Sequence, residues 1–414
     1  MSASGTERAK VVIVGAGPVG LMLAFELGRQ GVASVVLERA PEPDAMPKGN
    51  GLVGTIATVV KQRGLLRGQK GLHVIPVPRY SFGTLTLRLN PLRRNPLRVL
   101  PIPQRRLEAL LEERAREGGA DVRRGHAVSG FTDDGDHVRV EVEAAASMGS
   151  DARLYVIEAD FLIGCDGAHS TVRHQLGVGF PGTTSDRIAR IGHVTIRPGS
   201  LHVSKDSVGL PDGREFALFR ANPTPTGSLS IAPLTALDRR APRDRYIVST
   251  HEARGDQEPV GQLSLDDLKE SIRRVLGTDL DIEDGRWLRS TVANSRQAEQ
   301  YRVGRVFLAG DAAHVFSAGG SSLNVGMLDA VDIAARIAWV LEGTAPLVSL
   351  DAYHSVRHEI GRRAILQTRA QAALAGAESD SDSRENADAL RQVLEAAFRT
   401  RNPTRYLATM LIGE

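Results

Sequence analysis

Three short apolar runs in this chain each end in glycine next to an acid or another glycine. Val11-Val12-Ile13-Val14 passes directly into Gly15-Ala16-Gly17-Pro18-Val19-Gly20. Phe161-Leu162-Ile163 passes into Gly164-Cys165-Asp166-Gly167, and Val306-Phe307-Leu308-Ala309 into Gly310-Asp311. In the first turn Gly15 permits the tight bend, Gly17 lets backbone approach a pyrophosphate, and Gly20 lets the following helix pack closely on the strand. Pro18 and Val19 open that helix, whose free N–H groups and positive dipole end suit a diphosphate. A further apolar run, Val35-Val36-Leu37, ends in Glu38, followed by Arg39. A carboxylate there can accept both hydroxyls of an adenosine ribose and would repel a ribose 2′-phosphate.

A ligand that needs all three turns lies across the C-terminal edge of a parallel sheet. Asp311 can accept the hydroxyls of a ribitol chain. Backbone N–H groups at the start of the next helix can steady negative charge on a flavin. The two-acid pattern favours FAD over NAD.

The elements that must hold these turns are legible in outline. Val11–Val14 and Val35–Leu37 read as buried parallel strands flanking a helix from Pro18 to Gln30. A loop and a helix near 56–62 follow, then a proline-rich stretch from Gly71 to Leu100 with short strand-like runs at 80–82 and 85–87. Pro103 starts a helix, RRLEALLEERAREGG, with Leu107, Leu110 and Leu111 on one face and a glycine stop. Runs at 121–124, 127–133, 138–143 and 155–159 suggest a β-meander inserted into the nucleotide-binding sheet, ahead of the separate buried strand at 160–164. Alternating segments between 180 and 300 (193–196, 216–219, 228–231, 246–249) read as antiparallel strands with one helix, 264–276. That helix opens on a capping-box-like Ser264 and Asp267. Long helices are expected at 323–341 and 350–374. A solvated linker at 378–386 and two short helices, 387–399 and 404–411, close the chain.

The fold class is therefore α/β: a Rossmann-like three-layer FAD-binding domain interleaved with an antiparallel β-sheet substrate domain, and C-terminal helices. The expected parts are cofactor-domain segments at 1–70, 101–179 and 291–376. A substrate-domain excursion spans 71–100, a β-rich substrate domain 180–290 and a helical segment 377–414.

The 414 residues suit two or three interlocked domains. A net charge of +3 is too small to imply a nucleic-acid partner. One cysteine excludes an intrachain disulfide and argues against a thiolate metal cluster. No His/Cys/Asp cluster has metal-ligand spacing. No run reaches the ~18 apolar residues of a membrane span, and the N-terminus lacks an apolar signal core. A cytoplasmic protein is expected, with a homodimer left open.

Taken together, VVIVGAGPVGLMLAFELGRQG, IPQRRLEALLEERA, DFLIGCDGAHSTVR and YRVGRVFLAGDAAH…LNVGMLDAVDIAARIAW resemble the class A flavoprotein aromatic hydroxylases, the para-hydroxybenzoate hydroxylase superfamily. The likeness is nearest to polyketide-tailoring oxygenases of bacteria and runs from about residue 10 to the end. The resemblance implies that Glu38 binds the adenosine ribose, and that Gln104 contacts the ribityl–diphosphate region. It makes Asp166 support the diphosphate and Asp311 hold the ribitol. Gly320, in the loop after His314, and the backbone N–H groups of Leu323 and Asn324 would meet the flavin. It also implies that NAD(P)H reduces the FAD and that reduced flavin and O2 give a C4a-hydroperoxide. That species transfers one oxygen to a hydrophobic aromatic or polyketide-type small molecule, enclosed by the block at 180–300.

Two departures stand out. The loop after His314 reads VFSAGGSSLN. It lacks the family's two prolines, is one residue shorter, and has Ser322 where a glycine is usual. Lys48 and Thr55 stand where the family has arginines, and a lysine cannot make an arginine's bidentate contacts. These changes keep a second reading open: a non-redox cyclase, such as a decalin-forming [4+2] cyclase, with FAD as a structural part of the pocket. Cys165 is expected to be a small core residue and His314 a structural hydrogen-bonder. Trp287, Tyr301 and Trp339 are expected in core or interface. His193, Phe216 and Phe219 are pocket candidates that alternation alone cannot separate from core. The last two helices are expected to pack on the FAD domain or to form a dimer surface.

Overall fold

Val11, Val12 and Ile13 are wholly buried, as are Leu162, Ile163 and Val306–Leu308, because each strand has protein on both faces. In this computed structural model the described residues are 6–43, 51–83, 85–93, 95–145, 153–197, 199–204, 206–236, 241–255, 260–316, 321–375, 394, 398 and 401–410. The first sheet runs, in spatial order, Arg302–Val303, Val306–Leu308, Arg153–Gly164, Glu7–Val14, Ser34–Glu38 and Asp121–Arg124. All neighbours are parallel except the first pair. Helix α1 (Pro18–Arg29) packs on it, flanked by α3 (Gln104–Glu117) and α6 (Ser321–Leu341). Helix α2 (Thr55–Gln62) packs on α6, and α4 (Thr171–Gln175) is a single turn capped by the Ser170 hydroxyl.

The meander is present, with one change from the sequence reading. The segments at 155–159 and 160–164 are a single 12-residue strand, Arg153–Gly164. Its first half pairs antiparallel with Val138–Ala144, and its last residues pair parallel with Val306–Leu308. No turn residue separates Ala159 from Asp160. The change from alternating to continuous burial marks only where a second layer covers the sheet.

The second sheet is antiparallel, in the order Asn222–Thr224, Gly227–Pro233, Arg245–Ala253, Gly182–Ile196, Ile282–Gln297 and Gly261–Gln262. One face packs on α5 (Leu265–Leu276) through Val194, Ile231, Val248, Leu268, Ile272 and Val275. Ser264 and Asp267 form a complete capping box on that helix. At its far end the strand Ile282–Gln297 also pairs with His314–Val315, which leads out of the Gly310–Asp311 turn.

Between the layers, Gly51–Val53, Arg98–Pro101 and Ile75–Pro76 form a small sheet, and Arg79–Phe82 with Leu85–Arg88 a hairpin. Helix α7 (Asp351–Ala375) packs on α6, and α8 (Arg401–Met410) follows. Helix α8 starts earlier than expected, because Pro403 lies in its first turn, where a missing N–H costs nothing. It packs on α7, within the segment 291–376 expected to belong to the FAD domain, and on the hairpin core of Phe82, Leu85 and Leu87. The linker at 378–386 lies outside the described residues, as does the helix at 387–399 apart from Leu394 and Phe398. Trp339 is 51% exposed and therefore not core, whereas Tyr301 is fully buried. Among the described residues no helix is long and apolar enough to cross a membrane.

Candidate functional site: a strand-end cavity

The three turns open into one cavity of about 780 Å³. Gly15, Gly17, Pro18 and Val19 line it at the first turn, with Glu38 and Arg39 beside them, Gln104 and Asp166 further along, and Asp311 and Leu323 at the third turn. Gly20 does not line it. A Cβ there would sit 2.0 Å from the Gly15 carbonyl oxygen, so this glycine sets the closeness of helix to turn. Gly15 itself has φ +103°, and a Cβ on it would meet the Cys165 carbonyl at 2.5 Å. Gly320 lies outside the described residues. Asn324 is buried, and its side chain does not line the cavity. Its Oδ1 accepts the Val53 N–H at 2.8 Å, tying the start of α6 to the small sheet.

Glu38 is held in place from both sides. Its Oε2 accepts the Ala16 N–H and its Oε1 the Ala40 N–H, each at 2.9 Å, and each oxygen keeps a lone pair. Gly17 caps α1, and the direction a Cβ would take from it is open space. Asp166 Oδ2 accepts the Val172 N–H at 3.2 Å, while its Oδ1 is buried without a partner. A buried acceptor with no donor is costly and calls for a ligand hydroxyl or a water. Asp311 accepts a hydrogen bond from the hydroxyl of Ser322, in the first turn of α6.

Behind the third turn is a buried ion cluster that the sequence reading did not single out. Asp329 Oδ2 accepts the Gly310 N–H at 3.1 Å and meets His314 Nε2 at 2.6 Å; its Oδ1 accepts Arg357 Nε at 2.6 Å. Burial works to raise the Asp329 carboxyl, but His314 and Arg357 hold it below the usual carboxylate range. His314 is thus a structural hydrogen-bonder, stacked 4.8 Å from Phe316, which lines the cavity. An acid inside an otherwise apolar stretch of α6 was the available signal. Cys165 is half-buried and lines the cavity, and burial, then the charges of Asp166 and Asp329, push its thiol well up, which disfavours the reactive thiolate.

Other lining residues were also unforeseen. Arg105 and Glu108 share α3 with Gln104, whose Nε2 donates to Glu108 Oε1 at 2.8 Å. His126 lines the cavity near Glu38 and sits 2.7 Å through Nδ1 from the Tyr155 hydroxyl. Of the pocket candidates, Phe216 is buried in the core beneath the second sheet. Phe219 has φ +62° and is 59% exposed, because its strand ends at Ala217 and the left-handed backbone turns the ring outward.

A cavity shared by the three turns, the fixed Glu38 carboxylate, an open glycine cradle and an orphaned acceptor together fit FAD. The model of the FAD binding domain family matches residues 8–368. The chain belongs to that family. FAD is its cofactor, and the fold is that of the para-hydroxybenzoate hydroxylase type. A 12-dehydrotetracycline 5-monooxygenase/anhydrotetracycline 6-monooxygenase of Streptomyces rimosus is 35% identical, over 98% of this chain and 76% of its own length. A dialkyldecalin synthase of Streptomyces rugosporus is also 35% identical, over 87% of this chain and 72% of its own. An anhydrotetracycline hydroxylase structure from Streptomyces rimosus superposes with a TM-score of 0.80 at 32% identity, covering 98% of this chain and 76% of that one.

Proposed function

We propose that this enzyme is an NAD(P)H-dependent FAD monooxygenase acting in the cytosol on a hydrophobic polyketide-type or aromatic natural-product intermediate. One observation carries the reading. The three strand-end turns share a single cavity, and the loop leaving that cavity is hydrogen bonded to the second sheet. In this reading residues 1–70, 101–179 and 291–376 hold the cofactor, 180–290 enclose the substrate, 71–100 form an excursion between them and 377–414 close the structure.

Bound FAD would carry electrons from a nicotinamide donor to dioxygen. The chain's own groups bind and orient it. The N-terminal amides of α1 receive the diphosphate across Gly17 and Pro18, with Val19 beside them. Glu38 takes the adenosine ribose hydroxyls on its spare lone pairs, with Arg39 alongside. Gln104 and the free oxygen of Asp166 address the middle of the cofactor, and Asp311 its ribitol. The backbone N–H groups of Leu323 and Asn324 steady the flavin's pyrimidine edge. The Asp329 cluster fixes the turn on which Asp311 stands. The second sheet supplies the wall that keeps water from the reacting edge.

A second reading, a cyclase that keeps FAD as part of the pocket wall, draws on one contact. Ser322 occupies the carboxylate of Asp311 where the resemblance leads one to expect a glycine. The dialkyldecalin synthase relative is in keeping with it. Anaerobic stopped-flow mixing of the yellow holoenzyme with NADPH separates the two. Flavin bleaching, followed in air by product heavier by one oxygen, supports the monooxygenase. Substrate conversion without O2 and without bleaching overturns it in favour of the cyclase.

A further inference from the structure

We propose that His193, Trp287 and Arg289 form a recognition site for an oxygen-rich end of the substrate, built from carbonyl, phenol or enolate groups. The site lies on the face of the second sheet turned away from α5, and the proposal rests on the reading of this chain as an enzyme for a hydrophobic, ring-bearing small molecule.

The register assigns the face. Ile191 stands opposite Arg289, so Arg289 and the residue two positions from Ile191, His193, point to the same side. The other side carries Gly192 and Val194 onto α5: a Cβ at Gly192 would lie 2.9 Å from Leu268 Cδ2, and Val194 is buried beside that leucine.

The strand Ile282–Gln297 is bulged at this point. Ile191 pairs with Arg289 and His193 with Arg286, so two residues, Trp287 and Leu288, face the single residue Gly192. Leu288 tucks toward Gly192, 2.5 Å from where a Cβ would be. Trp287 goes the other way, against His193, with ring centroids 4.6 Å apart. Its φ is +53°, and Asp284, three positions earlier, has φ +47°. A bulky residue held in the left-handed region is a conformational cost that a packed strand has no reason to carry, and such outliers gather at ligand sites. Arg289 closes the cluster, its Cζ 5.1 Å from the Trp287 ring centroid.

The polar atoms of this cluster lack partners. His193 Nε2, Trp287 Nε1 and Arg289 Nε are all buried with no hydrogen bond, and so is Nδ1 of His251 on the neighbouring strand. His251 stands opposite Ala189, on the same face. The indole and guanidinium nitrogens can only donate, and a neutral imidazole donates from one nitrogen. Burial, then the charge of Arg245, keeps His193 neutral by lowering its pKa. Several donors and a cation converge there, and a ligand bearing acceptor oxygens satisfies them.

The experiment reads binding to the oxidised holoenzyme, so a failure of flavin reduction or oxygenation leaves it interpretable. The chain has two tryptophans, and Trp339→Phe removes the exposed one and leaves Trp287 as the sole tryptophan. Titration uses anhydrotetracycline, rifampicin and anthraquinone-2-carboxylate, with anthracene as the oxygen-free control. At least one oxygen-rich probe is expected to quench Trp287 saturably and bind about tenfold or more tighter than anthracene. In calorimetry Arg289→Ala should weaken that probe about tenfold, Arg289→Lys should recover part of the loss, and Trp287→Phe should weaken it severalfold. Flavin content and melting temperature should stay unchanged. No quenching by any probe up to about 1 mM overturns the proposal. So does binding that is equal for anthracene, or indifferent to both Arg289→Ala and Trp287→Phe.

Discussion

The hydroxyl of Ser322, in the first turn of α6, donates to the carboxylate of Asp311, the acid at the third strand end. The departing residue of the loop therefore acts directly on the group proposed to hold a ribitol hydroxyl. Ser322→Gly frees that carboxylate, and FAD affinity of the apoprotein should rise about 3- to 5-fold, the worth of one modest hydrogen bond. Asp311→Ala should lower it about 10- to 100-fold, since hydrogen bonds to a charged group are worth about 1.5–3 kcal/mol. Flavin fluorescence quenching on reconstitution measures both.

Gly17 and Gly20 should fail in opposite ways. Gly17 has extended backbone, φ −77°, and nothing within 4 Å of its Cβ direction, so Gly17→Ala should melt within about 0.5 kcal/mol of the parent as apoprotein. The added methyl intrudes on the cradle, so FAD affinity should drop at least about tenfold. Gly20→Ala drives a methyl into the Gly15 carbonyl and should destabilise the apoprotein itself, by about 1–3 kcal/mol. Thermal melts of the two apoproteins beside FAD titrations distinguish the outcomes.

Asp329→Asn removes a buried charge from between His314 and Arg357 and should cost about 3–5 kcal/mol in denaturant unfolding at neutral pH. The sign of the acid response follows. Asp329 has its carboxyl lowered in the folded state, so its stabilisation is fully present above the unfolded value of about 3.9. It fades as pH falls through the lower folded value. The parent should lose this share of stability only below about pH 4, narrowing its gap to the Asn variant there. Unfolding curves between pH 7 and pH 3 test it.

Cys165 is the only thiol, and its ionisation is suppressed in the folded protein. Ellman's reagent should label essentially none of it in the native holoenzyme, at pH 7 or pH 9. One equivalent should react promptly in guanidinium chloride, as release of thionitrobenzoate will report.

Much of the geometry of the three strand-end turns was readable because a glycine-rich turn is a local contract between residue type and backbone. Gly15 needs its left-handed φ, and Glu38 ends a strand whose partner begins the turn. Features that depend on distant partners were not readable. Asp329 and Arg357 are 28 positions apart on different helices and meet only once α6 and α7 pack. The division at Ala159–Asp160 arose because a change of burial pattern imitates a strand end. Phe219 sits in the same run as Phe216 yet lies past the end of the strand, in a turn that no periodicity announces. The Trp287 bulge is hidden for a similar reason: an extra residue shifts the phase of alternation without altering composition.

The sixteen-residue strand Ile282–Gln297 pairs with Gly182–Ile196 as far as Arg296, and its last residues, Arg296 and Gln297, are also laddered to Val315 and His314. Cutting the gene between this strand and Val315 would bare a row of amides ready to capture another chain. Chimaeras that trade substrate preference between relatives should therefore carry residues 282–315 as one cassette, with crossover points outside it. Grafts that split it should precipitate rather than merely lose activity.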